Sequence, residues 1–353
     1  MRTEAVDYFV CPRTGAKLSA RVGEREGDRI LAGELVSEDD GGCRYKVVDG
    51  VPRFVSREDF DDEQKDTVNS FSAKWSRIPN YAFEEKTKGN REAWFFERFG
   101  FSEGDSDLVE FLTGCEHVLE AGVGVGVDTD LLARNSSAVV FGVDISDSID
   151  IAQGRFRDRN EIVLAQADLG RLPFAPGFFD VIVCDQVLHH TPDPRTNFSH
   201  LIECLGGGGR ILLYVYREKG ALREFCDDHL RSIHTKSDFP ECVAFCEKIT
   251  RLGRDLSRLG ARINIDEDIP ELGIVRGEYD LQRLIYDHIV KCFWNDDYDF
   301  NTNVMVNLDW YRPQTACRYT PDEIRQWCAE EGLELQRLHV CPSGISLIAR
   351  KNP

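Results

Sequence analysis

The chain has 353 residues, enough for two domains of ordinary size, and its 42% hydrophobic and 30% charged residues are typical of a globular protein. The formal net charge is −19 and no tract is rich in lysine and arginine, so a nucleic acid is not an expected partner. No apolar run is long enough to span a bilayer and the first residues lack the apolar stretch of a signal peptide, so we expect a cytoplasmic protein that does not cross a membrane.

Residues 1–57 are expected to form a small β-rich unit of short strands joined by glycine-containing turns. The residues that carry a family pattern here are Cys11, Pro12, Gly15, Leu18, Tyr45 and the stretch "VDGVPRFV". This pattern resembles the Trm112-like family of small zinc-ribbon-related domains, whose zinc-binding members have two cysteine pairs. Thr14 stands at the position of a second ligand and Cys43 has no neighbouring cysteine, so we expect no metal and a fold held by its own small core.

Residues 58–110 are expected to form a helical lid or linker. The segment "EDFDDEQKDTVNSFSAKWSRIP" places Phe71 and Trp75 at i,i+4 on one apolar helix face. Such a face suits packing onto the next domain, and it also suits a lid over a ligand pocket. The two roles are compatible, because a lid needs an apolar inner surface.

From Cys115 onward, predicted strands and helices alternate, which is typical of a parallel α/β sheet. We expect this core to occupy residues 111–216 and 316–353, with a mostly helical insertion over 217–315. The core resumes at "TPDEIRQWCAEEG", which predicts a helix with an N-terminal capping box, and two closing strands follow.

The twelve cysteines are spread along the chain and several lie in apolar stretches, such as Cys184 and Cys204. This distribution indicates reduced, buried thiols rather than a disulfide framework. Cys242 and Cys246 share one helix face, a spacing that suits two core thiols or a pair of metal ligands, and we favour core thiols.

The stretch "VLEAGVGVG", residues 118–126, joins a predicted strand to a predicted helix. Backbone N–H groups at such a junction attract polar or negative ligand groups, and glycine lets a ligand approach the backbone. Dinucleotide-binding proteins and methyltransferases both use this pattern, so the glycines alone do not decide between them.

Acidic residues at successive strand ends narrow the choice. Glu120 stands two residues before Gly122, where it would repel a pyrophosphate and attract an ammonium group. Asp144 ends the next strand in "GVDIS", where its carboxylate can accept both hydroxyls of a ribose. Asp168 in "QADLGRLPF" ends the third strand, within reach of an adenine amino group. The fourth strand ends in "FFDVIVCDQVLHH".

In order and spacing these elements resemble the class I S-adenosylmethionine-dependent methyltransferases, and "LPFAPGFFDVIVCDQVLHHTPDP" is similar to their ubiquinone/menaquinone-type, small-molecule branch. The resemblance implies a Rossmann-like sheet of seven strands, the last antiparallel, with S-adenosyl-L-methionine across the strand ends and S-adenosyl-L-homocysteine as product. The expected cofactor contacts are Glu120, Gly122, Gly124, Gly126, Asp144, Ile145, Asp168, Leu169 and Asp185, with Phe71 and Trp75 from the lid.

Methyl transfer is an in-line displacement at an activated carbon, so the protein mainly orients the acceptor and, where needed, removes its proton. The candidate catalytic residues are His189, His190, Tyr214 and Tyr216. The candidate acceptor-binding residues are Arg217, Arg223, Asp309, Trp310 and Tyr311. Each set has a structural alternative: the histidines could serve packing, the arginines could form helix-surface ion pairs, and the last three residues could form a buried joint.

The leading hypothesis is methyl transfer to the oxygen, nitrogen or carbon of a small molecule in biosynthesis or secondary metabolism. The alternatives are a tRNA- or protein-modifying methyltransferase with a fused Trm112-like activator, a non-catalytic cofactor-binding subunit and a nicotinamide-dependent enzyme. A homodimer is compatible with each of them.

Overall fold

The computed structural model describes residues 1–39 and 41–353, with residue 86 described by its backbone only. The strands are β1 Leu18–Glu26, β2 Arg29–Ser37, β3 Arg44–Val48, β4 Val51–Arg53, β5 His117–Ala121, β6 Val139–Asp144, β7 Ile162–Gln166, β8 Phe179–Asp185, β9 Leu205–Tyr216, β10 Arg262–Ile265, β11 Gly277–Asp280, β12 Leu333–Val340 and β13 Gly344–Lys351. The α-helices are α1 Asp62–Arg77, α2 Glu85–Phe99, α3 Asp105–Leu112, α4 Val127–Arg134, α5 Ser148–Phe156, α6 Pro194–Cys204, α7 Ala221–His234, α8 Phe239–Arg258, α9 Leu281–His288, α10 Phe300–Tyr311 and α11 Pro321–Glu330.

One large mixed sheet organises the molecule, with helices on both of its faces. In the described part of the chain its order is β1-β2-β3-β4-β7-β6-β5-β8-β9-β13-β12. Strands β7, β6, β5, β8 and β9 are parallel, whereas β13 runs antiparallel between β9 and β12. The central strands are continuous apolar runs because helices cover the sheet on both sides.

The sheet is wider than the expected seven strands. Eleven strands are hydrogen-bonded in sequence because the four N-terminal strands extend it at the β7 edge. The junction is narrow: β4 pairs with β7 at Arg53 and Gln166, and the Phe54 N–H donates to the Gln166 carbonyl at 2.8 Å.

The N-terminal unit does not have the separate core expected from its sequence. Its buried Phe9, Tyr45 and Phe54 belong to the same apolar cluster as Phe141 and Phe174 of the central sheet. The Phe9 and Phe174 rings, for example, lie 5.5 Å apart. A unit of this size buries little apolar surface by itself, and sharing a core supplies the rest.

The helices predicted before the first core strand are present and have different neighbours. Helix α1 begins with a capping box formed by Asp61 and Gln64 and lies against α5 and α10. Helix α2 buries Phe95 and Phe99, together with Leu108 of α3, against one face of the central sheet. Helix α1 is therefore the element placed to cover the strand ends.

The insertion consists of α7 to α10 with the hairpin β10–β11. Its interior contains Cys242 and Cys246 of α8, which are fully buried beside Met305 and Tyr311 of α10, as expected for core thiols. Helix α10 packs on α7, α8 and α1, and the chain then returns to the core through α11, whose capping box is formed by Thr320 and Glu323 as predicted. The insertion thus brings α10 beside α1.

Two further properties concern the whole described chain. Every cysteine is a free thiol. Within residues 1–39 and 41–353, no helix combines the length and apolar character needed to traverse a bilayer.

Candidate active site

A cavity opens at the carboxyl ends of β5, β6, β7 and β8, with α1 and α10 facing them across it. This is the point where the strand order reverses direction, the usual ligand position in open α/β sheets. Its volume is about 1350 Å³ including the part open to solvent.

The cavity brings together most of the residues selected from the sequence. Those that line it are Phe71, Trp75, Glu120, Gly122, Gly124, Asp144, Ile145, Asp168, Leu169, Asp185, His190, Tyr216 and Asp309. Those that lie outside it are Gly126, His189, Tyr214, Arg217, Arg223, Trp310 and Tyr311. Lining residues that sequence reasoning did not identify include Gln64, Lys74, Tyr81, Arg91 and Asp128.

The glycine loop after β5 passes close to other parts of the protein. Gly122 and Gly124 have φ values of +99° and +54°, which favour glycine over other residues. A Cβ at Gly122 would overlap Val187, and one at Gly124 would lie 3.1 Å from the Trp75 ring. Gly126 also has a positive φ, but its missing side chain makes room for Phe156 in the core, so its role is packing.

Asp144 at the end of β6 is held by three donors. Its Oδ2 accepts the Gly124 N–H at 2.8 Å, and its Oδ1 accepts the Ser146 N–H at 2.8 Å and the Ser146 hydroxyl at 2.7 Å. Burial raises the pKa of Asp144, and these donors oppose that rise. A carboxylate offers about four acceptor positions, so one position on Oδ2 is left for a ligand hydroxyl. A second becomes available when the Ser146 hydroxyl turns to Ser148, 2.7 Å away.

Asp168 connects the end of β7 to the lid. Its Oδ1 accepts the Gly170 N–H at 2.9 Å and its Oδ2 accepts the Gln64 side-chain amide of α1 at 2.7 Å. The Gln64 amide group is thus bound where an amino group of a ligand was expected. The Asp168 carboxylate retains acceptor capacity beyond these two bonds.

Glu120 at the end of β5 is only 5% exposed and accepts a hydrogen bond from the Thr129 hydroxyl. Burial, reinforced by the nearby Asp128 carboxylate, raises its pKa well above the ordinary value. The Thr129 hydroxyl and the Arg91 charge oppose that rise only in part. An ammonium group in the cavity would restore the charged form, because opposite charges nearby favour ionisation.

Asp185 lines the cavity, but two buried arginines occupy its oxygens. Arg98, only 1% exposed, donates to Oδ1 at 2.6 Å and to Oδ2 at 2.8 Å. Arg91 donates at 2.6 Å to Asp185 and at 2.7 Å to Asp128. Burial opposes ionisation of Asp185, yet Arg98 and Arg91 hold its pKa well below the ordinary value. Asp185 is thus an anchor for α2 rather than the free ligand contact that the sequence predicted.

The two adjacent histidines have different surroundings. His189 is fully buried outside the cavity and stacks on Tyr216 with ring centroids 3.7 Å apart. Neither of its ring nitrogens has a partner among the described residues, and burial lowers its pKa well below the ordinary value. The expectation of a catalytic role for His189 is therefore not supported by its position, which is that of a packing residue.

His190 lines the cavity, but it is a weak base. Its Nδ1 lies 2.8 Å from the Thr315 carbonyl, so this nitrogen carries the hydrogen and donates it. Burial lowers the pKa of His190 to about 3. Proton transfer is most effective when the pKa of the base is near the working pH, so His190 is better suited to shaping the wall than to removing protons.

The remaining candidates outside the cavity have structural contacts that explain their positions. Tyr214 is buried beside Arg98, and Arg217 forms an isolated parallel β-bridge with Tyr319. Arg223 pairs with Asp227 and donates to the Tyr286 carbonyl.

Trp310 and Tyr311 belong to the joint between the insertion and the core. Trp310 packs against Tyr216, and the Tyr311 hydroxyl donates to the Lys291 carbonyl at 2.8 Å. An arginine in an amphipathic helix has the same sequence pattern whether its side chain faces a cavity or the core. The same is true of an aromatic residue next to a buried turn. Sequence alone therefore could not separate these residues from Asp309.

A buried ion pair joins the two helices over the cavity. Lys74 of α1 lies 2.6 Å from the Asp309 carboxylate of α10, with side-chain exposures of 7% and 19%. The Lys74 ammonium also lies 3.7 Å from the centre of the Trp75 ring. Burial lowers the pKa of Lys74 despite the opposing effect of Asp309. A lysine between Phe71 and Trp75 in an apolar helix face is a sequence signal for a buried charge, but it does not identify Asp309 as the partner.

The buried state of His190 predicts a specific pH dependence of stability. Its pKa falls from 6.5 in the unfolded chain to about 3 in the fold. As pH falls from 6.5 toward 3, the unfolded state takes up a proton that the folded state excludes, so stability is lost across this window. From about pH 7 to about pH 5, replacing His190 by glutamine should reduce the loss of unfolding free energy by about 2 kcal/mol.

Urea denaturation of the parent and the His190→Gln variant at both pH values measures this difference. His229→Gln, at an exposed position of α7, serves as the control and should leave the pH dependence unchanged. Parallel pH profiles for the parent and His190→Gln would show that the folded state does not exclude the proton.

Comparison with known proteins identifies the central segment. The family described as a methyltransferase domain matches residues 119–213. These residues extend from β5 to β9 and include the strand ends that line the cavity. The segment is therefore a methyltransferase domain, and this family uses S-adenosyl-L-methionine as methyl donor.

Individual relatives align over the same segment. An uncharacterized protein of Synechococcus sp. is 38% identical over 112 residues, covering 30% of this chain and 27% of that protein. The ubiquinone biosynthesis O-methyltransferase of Coxiella burnetii is 33% identical over 98 residues, covering 27% of this chain and 42% of that enzyme. The chain thus matches less than half the length of these curated relatives.

Solved structures match the chain at low sequence identity. The crystal structure of magnesium protoporphyrin IX methyltransferase from Synechocystis with bound S-adenosylmethionine is 15% identical, with a TM-score of 0.44, and the match covers 83% of this chain and 99% of that one.

Proposed function

We propose that the whole protein is an S-adenosyl-L-methionine-dependent methyltransferase that acts on a small-molecule acceptor. The observation that carries this proposal is the set of three carboxyl groups at successive strand ends around one cavity: Glu120, Asp144 and Asp168. Each lies beside the glycine loop or the lid, and each retains acceptor capacity.

The side chains present fit this cofactor chemically. Glu120, whose buried carboxyl favours a nearby cation, would hold the ammonium group of the amino-acid end. Asp144 would accept ribose hydroxyls, and Asp168 would accept the adenine amino group in place of, or beside, Gln64. Ile145 and Leu169 supply apolar wall on either side of these two carboxylates. When bound, the cofactor supplies a methyl group on a positively charged sulfur.

The protein's own contribution to the reaction would be orientation and exclusion of water. Helix α1 covers the strand ends, tied to β7 through Gln64 and to α10 through Lys74. A cavity covered in this way holds two reactants at short range and reduces the access of competing solvent.

A small molecule suits this cavity better than a macromolecule. The space for an acceptor lies between α1 and α10 and is lined by Phe71, Trp75, Tyr81 and Tyr216. The chain has a net charge of −19, which disfavours RNA. We infer the acceptor atom to be an oxygen, nitrogen or carbon, and the relatives named as O-methyltransferases support oxygen among these.

We also infer that different segments of the chain have different roles. Residues 1–57 form a Trm112-like unit that extends the sheet, 58–110 the lid, 111–216 with 316–353 the catalytic core, and 217–315 the insertion that shapes the acceptor space. The continuation of the sheet from β4 into β7 supports a structural role for the first unit.

Calorimetric titration tests the proposal directly. We expect S-adenosylhomocysteine to bind the purified full chain with one site and NADH to give no heat. Tight NADH binding, or the absence of heat with either sulfur nucleoside on folded protein, would contradict the proposed function. A tRNA-binding assay at low salt should be negative.

A further inference from the structure

The Lys74–Asp309 pair has a feature that its structural role does not explain. Lys74 satisfies only one of the two carboxylate oxygens, Oδ2, at 2.6 Å. Asp309 Oδ1 is buried and accepts no hydrogen bond from any described residue. A buried acceptor without a donor is destabilising, and more so when it is charged, so a pair that served packing alone would be expected to satisfy both oxygens.

The pair belongs to the part of the cavity that the cofactor carboxylates do not occupy. Glu120, Asp144 and Asp168 lie at the ends of β5 to β7, whereas Asp309 comes from α10 of the insertion and Lys74 from α1. Both residues line the cavity. A donor that completes Asp309 Oδ1 would therefore come from a second ligand beside the cofactor.

The surrounding wall favours a planar ligand without an anionic group. Four aromatic side chains line the cavity, Phe71, Trp75, Tyr81 and Tyr216, and the Lys74 ammonium lies 5.8 Å from the centre of the Phe71 ring and 3.7 Å from that of Trp75. Rings of this kind favour stacking on another flat ring. Among the described lining residues, six are acidic and two, Lys74 and Arg91, are basic. Each of these cations already pairs with a carboxylate of the cavity, and although Arg91 Nη1 has no partner among the described residues, the excess of acidic residues disfavours an acceptor that carries a carboxylate or phosphate.

We propose that Asp309 binds the methyl acceptor through Oδ1 and takes the proton from its hydroxyl group, and that the acceptor is an aromatic hydroxyl compound of the phenol or catechol class that carries no anionic group. This inference rests on the proposed methyl-transfer function. A hydroxyl is favoured over an amine because a neutral amine attacks without losing its proton first, whereas a phenol gains nucleophilicity from a base. A carbon acceptor would leave Oδ1 without a donor.

The step balances with the groups named. As the acceptor oxygen forms its bond to the methyl carbon, the sulfur–carbon bond breaks and its electron pair stays on sulfur, which becomes neutral. The hydroxyl proton moves to Asp309 Oδ1. The Lys74 ammonium remains charged throughout and holds the carboxylate in position through Oδ2.

The test uses the full-length protein saturated with S-adenosylhomocysteine and titrated with catechol, followed by NMR or calorimetry. Because hydrogen bonds to charged groups are worth roughly tenfold or more in affinity, the parent should bind catechol at least about tenfold more tightly than 1,2-dimethoxybenzene, which has no hydroxyl. Benzoate should bind more weakly than catechol. Asp309→Asn should lose about tenfold in catechol affinity while retaining its affinity for S-adenosylhomocysteine.

A pH profile separates proton removal from simple binding. With S-adenosylmethionine and catechol, the parent rate should be flat near neutral pH, whereas the Asp309→Asn rate should rise as catechol itself ionises. Asp266→Asn, on the exposed hairpin of the same insertion, is the matched control and should behave as the parent.

The outcomes distinguish the two proposals. A parent protein that does not bind S-adenosylhomocysteine refutes the proposed function. A parent that binds it but does not bind catechol, or binds 1,2-dimethoxybenzene or benzoate as well as catechol, overturns the role of Asp309 and the acceptor class. Equal catechol affinity in the parent and Asp309→Asn overturns it too. The comparison of ligands on the parent decides the matter even if the variant does not fold.

Discussion

Replacing Asp185 by alanine should lower the free energy of unfolding by about 3–5 kcal/mol, the usual cost of removing one partner from a buried charge pair. Arg98 donates to both oxygens of Asp185, and the only other hydrogen-bond acceptor of its side chain among the described residues is the Trp94 carbonyl. Arg91 would keep Asp128. The variant therefore leaves the Arg98 charge buried without a carboxylate, and urea denaturation measures the loss.

Two further variants show whether the buried charge is the cause. Asp59→Ala removes one partner of the exposed Arg13–Asp59 pair and should change stability by less than about 1 kcal/mol. Adding Arg98→Met to Asp185→Ala removes the unpaired charge and should recover a large part of the loss. A loss in Asp185→Ala no larger than in Asp59→Ala would mean that the arginines find other partners or water.

Replacing Asp144 by alanine should weaken S-adenosylhomocysteine binding by about 100-fold or more. The expected loss combines two charge-assisted hydrogen bonds, each worth about 1.5–3 kcal/mol, with the release of the glycine loop that Asp144 holds through the Gly124 N–H. Calorimetry at equal protein concentration gives both affinities, and circular dichroism confirms that the variant is folded.

The neighbouring Asp150 provides the control for this experiment. It lies on the exposed side of α5, where it pairs with Arg53 outside the cavity. Asp150→Ala should keep the parent affinity within about twofold, because surface ion pairs contribute little. Asp144→Asn should fall between the two, since an amide keeps one acceptor oxygen but no charge. Parent-like affinity in Asp144→Ala would remove the basis for assigning the cofactor site.

Sequence reasoning located the strand-end carboxylates because their positions depend on local pattern. Asp144 and Asp168 each follow an apolar strand, and the ends of neighbouring parallel strands meet at one edge of a sheet. The spacing along the chain therefore predicted their proximity in space, and the cavity contains both.

The partners that come from distant parts of the chain could not be predicted in this way. Arg98 meets Asp185 across 87 residues, and Lys74 meets Asp309 across 235 residues. Nothing local distinguishes Arg98, which is buried in a charge pair, from an arginine on a helix surface. The same limit applies to Arg223, which pairs with Asp227 four residues later but is buried rather than on a helix surface.

The narrow contact between β4 and β7 has a consequence for how the chain is made. Arg53 leaves the ribosome 113 residues before Gln166, the partner that ties the first hairpins to the rest of the protein. Until then Phe9, Tyr45 and Phe54 have no central sheet to pack against. These aromatic rings therefore lack their partners in the central sheet while about a third of the chain is synthesised. We expect aggregation or chaperone binding of the nascent chain to occur during this interval.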